Sequence, residues 1–163
     1  MSGFAATNKR LQTIGTRLAN FPLDPMRLIR MTYHLQKALR DKTGVALKPF
    51  ELADPAYMVL AVLYGSPNET SSASELSEAC YEKPANLTRV CDDLKARGLI
   101  CRGDKEGDRR LVMISLTDAG RALIEQALPA VGSKVATAYE SLSKAEMKQF
   151  ADLFERVLTK LDE

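Results

Sequence analysis

Two clusters of side chains have the types and spacing to grip a nucleic acid. The first is Lys83, Pro84, Ala85, Asn86, Thr88 and Arg89. These residues open a segment in which Leu87, Val90, Cys91 and Leu94 recur at helical spacing. That spacing gathers the apolar residues on one face and leaves Asn86, Thr88 and Arg89 on the other. A carboxamide matches the edge of adenine, a guanidinium matches guanine or phosphate, and a threonine matches phosphate or the thymine methyl. The second cluster is Lys105, Asp108, Arg109 and Arg110, in a charged, glycine-bearing stretch at 103–110. Guanidinium groups at such a tip suit the negative potential of a narrow minor groove, and Asp108 can orient one of them. Ser72 and Ser74, at the start of the preceding short helix, complete the candidate contact set. The same residue types also suit a solvated helix face and an exposed basic turn, and spacing alone does not separate the readings.

A third group could hold a small anion. Arg30 and His34 are four residues apart and share one face of a helix, with Arg27 on the same stripe. An arginine there could clamp a carboxylate through two parallel hydrogen bonds. Tyr33, Tyr57, Met58 and Tyr64 would supply aromatic and apolar walls. The alternative is a solvated basic face made by Arg27, Arg30, His34 and Lys37. Other chemistries find less support. The chain has a single histidine, and the spacing of Cys80, Cys91 and Cys101 matches no structural zinc motif, so neither metal nor cofactor is expected. Cys91 and Cys101 read as packed thiols and Cys80 as the most accessible, leaving a thiol redox switch as an alternative. There is no nucleophile elbow, glycine-rich phosphate loop or HExxH motif, and an enzyme is not expected.

The positioning elements can be read in order. Residues 1–22 form an arm or short helix. Asp24 and Pro25 begin a helix over 26–42 that Gly44 ends. Asp54-Pro55 opens a second helix, apolar on nearly every side over 56–64 and therefore buried. Ser72 and Glu75 form a capping box for a short helix reaching about Tyr81. A longer helix at 84–97 follows, with Gly98 as its C-terminal cap. Strands at 99–102 and 111–116 flank the charged tip. Thr117 caps a long helix with Leu123, Leu128, Val131 and Val135 on one side, and Pro129 should kink or split it. Ser143 and Glu146 cap a last helix with a strong apolar face of Met147, Phe150, Phe154, Val157, Leu158 and Leu161. A short helix, a turn, a longer helix and a basic hairpin make a winged helix-turn-helix. The fold class is therefore mostly α with a small β-wing.

Charge is strongly segmented along the 163 residues. Residues 1–50 carry nine bases and two acids, 51–82 carry six acids and no base, and 83–110 carry eight bases and five acids. A net charge of +2 thus conceals local basic surfaces, which are what meet a phosphate backbone. Hydrophobic residues at 45% and charged residues at 27% exclude a disordered or fibrous chain. The longest apolar run, 56–64, falls far short of the ~20 residues of a membrane span. No signal-peptide pattern opens the chain, so a cytoplasmic location with reduced thiols is expected.

Residues 76–123 resemble the MarR family of transcriptional regulators. The matching residues are Glu75-Leu76, Leu87-Thr88-Arg89, Asp93-Leu94, the run from Lys95 through Ile100, Gly107-Asp108-Arg109-Arg110, and Leu116-Thr117-Asp118-Ala119-Gly120. Arg30, His34, Gln36, Thr88-Arg89 and Leu128-Pro129 resemble the branch that represses multidrug efflux (EmrR/MprA-like). The resemblance implies a homodimer bound to palindromic double-stranded DNA, with two lobes reading half-sites about one helical turn apart. It implies helical dimerisation segments at 23–50 and 117–163 and a DNA-binding lobe at 51–116. It also implies release from DNA by small aromatic acids such as salicylate, phenols or drugs, with efflux genes or aromatic-compound catabolism as the regulated function. One departure stands out: Lys83 occupies the position where the family usually has a serine-type cap before the recognition helix.

Overall fold

A computed structural model describes residues 3–105 and 108–163, with side chains described for 3–103 and 112–163. The chain divides into two compact units at Lys42 and Thr43.

In the first unit, α1 (Ala5–Arg17), whose Leu11 is buried, meets α2 (Leu23–Leu47) where Thr7 lies 3.2 Å from His34. The turn between them closes tightly, with Leu23 and Phe21 side chains against Gly15. α2 differs from the sequence expectation at both ends. It begins at Leu23, so Pro25 sits within the first turn, where a missing amide costs nothing. It passes through Gly44 and ends only at Leu47, before a 3-10 turn over Lys48–Phe50 that contains Pro49. Burial of Ala46 and Leu47 outweighs the weak helix propensity of one glycine.

The second unit is built around α3 (Asp54–Gly65), whose Val59, Leu60 and Leu63 are inaccessible to solvent. Leu76 of α4 (Ala73–Ala79), the inner stripe of α5 (Pro84–Ala96) and Ile124, Ala127 and Val131 of α6 (Asp118–Ala136) close over it. β1 (Thr70–Ser72), β2 (Ile100–Lys105) and β3 (Asp108–Leu116) form an antiparallel sheet in the order β1-β3-β2. Thr70 pairs with Ser115 and Ile100 with Leu116, and the register shifts between Asp104 and Lys105. Ile100, Ile114 and Leu116 face the core, while Cys101 and Val112 face solvent. β1 was not expected, because Thr-Ser-Ser has no apolar alternation and only its partner strand defines it. α6 is one helix through Pro129, not two; Pro129 and Glu125, whose carbonyl loses its i+4 donor there, are both exposed. The buried line of α6 is Gly120, Ile124, Ala127 and Val131, with the expected Leu123, Leu128 and Val135 half-buried beside it. α7 (Lys144–Leu161) starts at the expected capping box of Ser143 and Glu146 and has no buried residue.

Candidate nucleic-acid interface

The helix-turn-helix is held by its backbone and by few side chains. Ser72 caps α4 by accepting from the Glu75 amide, and the Glu75 carboxylate reaches back to the Ser72 amide at 2.9 Å. After α4 the chain turns sharply at Tyr81, which has φ of 53° and is almost wholly exposed. Ser77 fixes the next residue from both sides: its hydroxyl donates to the Glu82 carbonyl at 2.6 Å, and its carbonyl accepts from the Glu82 amide at 3.0 Å. α5 then begins at Pro84 with no side-chain cap on Lys83. Leu87, Val90, Cys91 and Leu94 anchor its inner face, which commits Lys83, Pro84, Ala85, Thr88 and Arg89 to solvent and leaves Asn86 half-exposed.

The outer face of α5 is a connected hydrogen-bond chain. The Asn86 amide nitrogen donates to the Glu82 carboxylate at 2.6 Å. Arg89 donates to the Asn86 carbonyl oxygen at 3.1 Å and to the Asp93 carboxylate at 3.3 Å. Thr88 bonds back to the Pro84 carbonyl at 2.9 Å. At the other end, Arg97 donates to the carbonyls of Glu51 and Phe50, tying α5 to the 3-10 turn. Gly98 takes φ of 70°, and its carbonyl accepts from the Thr117 hydroxyl at 2.7 Å. Asp92 pairs with Arg102 at 2.8 Å, linking α5 to β2.

The remaining expected contacts distribute unevenly. Ser72 is buried and its hydroxyl is engaged in the cap, so it has no face to offer a ligand. Ser74 is exposed, with its hydroxyl 3.1 Å from that of Ser72. The backbone places Lys105 opposite Asp108 at the end of the β2–β3 ladder, with Arg109 and Arg110 next on β3. The side chains of Lys105, Asp108, Arg109 and Arg110 lie outside the described residues. Arg27, Arg30 and Tyr33 are exposed on α2. His34 is engaged within the first unit: Thr7 lies 3.2 Å from its Nε2, and Phe4 meets its ring edge-on at 5.3 Å between centroids. Tyr57 and Met58 are half-buried against the core of the second unit. Burial, helped by Asp54, raises the Tyr57 pKa. Tyr64 donates to Glu125 at 3.2 Å.

The cysteines reverse the expected order of exposure. Cys80 is buried, because the last turn of α4 faces α5, whereas Cys101 is exposed, because alternation along β2 turns it away from Ile100. Burial pushes the Cys80 thiol up to about 11 and raises that of Cys91. A reactive thiol needs the opposite shift. Among the described residues no three potential ligands gather to hold a metal ion, and no helix is long and apolar enough to cross a membrane.

Comparison with known proteins agrees with this geometry. A profile described as "MarR family" matches residues 50–111. The HTH-type transcriptional regulator YhbI of Bacillus subtilis is 33% identical over 82% of this chain and 83% of its own length. The chain belongs to the MarR family. The MarR-family chain is also 28% identical to the transcriptional repressor MprA of Escherichia coli, over 99% of this chain and 92% of that protein. Its fold matches the MarR-family regulator Sco3205 of Streptomyces coelicolor, solved in complex with DNA, with a TM-score of 0.78, 20% identity and coverage of 90% and 92%. The MarR family is one of transcriptional regulators, not enzymes. Sequence reading gave no contact to three side chains tied into this MarR-type lobe: Glu82, Asp93 and Arg97. The i to i+4 spacing of Arg89 with Asp93 was legible. The contacts of Glu82 and Arg97 depend on turns that place them, and no spacing rule gives those.

Proposed function

We infer that the chain is a transcriptional repressor that binds palindromic double-stranded DNA as a homodimer and releases it when a small aromatic or phenolic compound binds. The observation that carries this reading is the exposed face of α5. Its polar residues stand outward on a helix anchored by four buried side chains, beside a strand pair bearing Arg109 and Arg110. The basic excess is local: Lys83, Arg89, Lys95 and Arg97 lie on or beside this helix against Asp92 and Asp93, whereas every charged residue of 51–82 is acidic. α7 supports the dimer with an unpartnered apolar face. A role in controlling efflux genes rests on the resemblance of Arg30, His34, Gln36, Thr88-Arg89 and Leu128-Pro129 to the efflux-repressing branch.

Selection from a random duplex library, followed by fluorescence anisotropy, tests the DNA reading. The wild type is expected to enrich a palindrome. Arg110→Ala should weaken binding to it by about 1–3 kcal/mol through loss of the minor-groove contact. Equal affinity at matched salt for Arg110→Ala and Arg109→Ala would sink the wing contact.

For the inducer, we assign the carboxylate contact to Arg30. His34 is already held by Thr7 and Phe4 and is not part of the assignment. Calorimetry with salicylate should show binding to the wild type and markedly weaker binding to Arg30→Ala, whose operator affinity stays unchanged. Coupling requires only differential affinity between two states, and a tenfold loss of DNA affinity needs about 1.4 kcal/mol.

A further inference from the structure

We propose that Glu82 is a positioning residue that locks the polarity of the Asn86 carboxamide and so sets which base edge each half-site must present. The proposal rests on the DNA-binding reading above and extends it to one residue outside the recognition helix.

Glu82 is half-buried in the helix-turn-helix turn, and its own backbone is pinned at both ends by Ser77, through the 2.6 Å and 3.0 Å hydrogen bonds. Its carboxylate therefore starts from a fixed root. It accepts from the Asn86 nitrogen at 2.6 Å, while the guanidinium of Arg89 donates to the Asn86 oxygen at 3.1 Å. An ionised carboxylate can only accept and a guanidinium can only donate. One orientation of the amide satisfies both neighbours. The flipped orientation would set oxygen against carboxylate and nitrogen against guanidinium, losing both bonds. Arg89 is steadied in turn by Asp93 at 3.3 Å.

A primary amide has two hydrogens on nitrogen and two lone pairs on oxygen. Glu82 takes one hydrogen and Arg89 takes one lone pair, from opposite ends of the group. One donor and one acceptor remain, in a fixed left-to-right order. Adenine presents N7 as acceptor and N6 as donor in the major groove, whereas guanine presents two acceptors. The locked amide therefore matches adenine, in one strand orientation. Glu82 supplies this order without touching the base.

The test is binding-site selection with the full-length wild type, Glu82→Ala, Glu82→Gln and Asn86→Ala, each checked for an unchanged thermal transition. The wild type should select one adenine per half-site at the position that Asn86→Ala no longer selects. Glu82→Ala should lose preference at that same position by roughly tenfold. Its affinity for non-specific duplex should be equal or higher, because a negative charge has been removed. Glu82→Gln keeps an oxygen acceptor and should restore most of the preference. A purely structural role for Glu82 would instead lower affinity for every sequence. If Glu82→Ala selects the wild-type base, Asn86 reads unaided and the lock is overturned. If Asn86→Ala keeps the wild-type consensus, Asn86 is not a reader and the lock falls with it. If the wild type enriches no site at all, the DNA-binding reading fails first and takes this proposal with it.

Discussion

Gly120 shows how a short sequence motif becomes a physical joint. A Cβ added there would lie 2.0 Å from the Leu99 carbonyl oxygen, inside any tolerable contact. That oxygen also accepts from the Thr117 amide, and Thr117 in turn caps α6 by accepting from the Gly120 amide at 3.1 Å. The Leu-Thr-x-x-Gly run therefore welds the start of α6 to the turn after α5. Gly120→Ala should destabilise the protein by at least about 1–3 kcal/mol, because backbone, not a flexible side chain, must give way. Gly44→Ala meets nothing within 4 Å in the interior of α2 and should stabilise by about 0.5–1 kcal/mol. Urea midpoints of the two variants check the contrast, and a shift of the same sign in both would refute the steric account. Much at this scale was legible. Leu87, Val90, Cys91 and Leu94 all turn inward as their spacing requires. The thiols were misread because Cys80 lies on the side of α4 that α5 covers, a fact of tertiary packing with no local signature. The contacts of His34 were not legible for a similar reason: Thr7 lies on α1 and Phe4 just before it, far from His34 in sequence.

At the scale of elements, α5 trades a cap for a charge. Both α4 and α7 begin with a reciprocal Ser–Glu capping box, but α5 begins at Lys83-Pro84 with no side chain satisfying its first amides. Proline at the first position removes one donor that would otherwise need a partner. Lys83 instead stands exposed at the end of the helix that would meet phosphate. Lys83→Ser should therefore raise stability by about 0.5–1 kcal/mol. The same change should weaken DNA binding and reduce the dependence of log affinity on log salt by about 0.9 per protomer, about 1.8 for the dimer. Thermal melts and anisotropy titrations at several salt concentrations measure the two halves independently. A stabilised variant with an unchanged salt slope would mean that Lys83 faces solvent in the complex. Helix boundaries were legible wherever a capping box or a glycine with positive φ marked them, as at Ser72, Ser143 and Gly98. They were not legible where tertiary burial decided, as at Gly44. β1 was invisible because three polar residues become a strand only through pairing with Ser115, Ile114 and Met113.

For the molecule as a whole, the terminal helix is the feature a single chain cannot explain. α7 carries Met147, Phe150, Leu153, Phe154, Val157, Leu158 and Leu161, all between 37% and 77% exposed. Phe150 and Phe154 lie one turn apart with ring centroids at 4.8 Å, so the face is continuous. Soluble monomers rarely expose apolar patches larger than a few hundred Å². The homodimer inferred above would cover this face, and its twofold symmetry would impose a palindrome on the DNA it reads. No residue of α7 contributes to the buried core. The double change Phe154→Glu with Leu158→Glu should therefore leave each chain folded while abolishing the dimer. Sedimentation should shift from about 36 to 18.0 kDa, with the far-ultraviolet circular dichroism of the wild type retained. Each lobe would then bind its half-site alone and lose the effective concentration that its partner provides. Operator affinity should fall by roughly 10²–10⁴-fold, while affinity for an isolated half-site stays within a few-fold of the wild type. A variant that remains dimeric would place the pairing surface elsewhere. A monomer with undiminished operator affinity would show that one lobe reads the whole site.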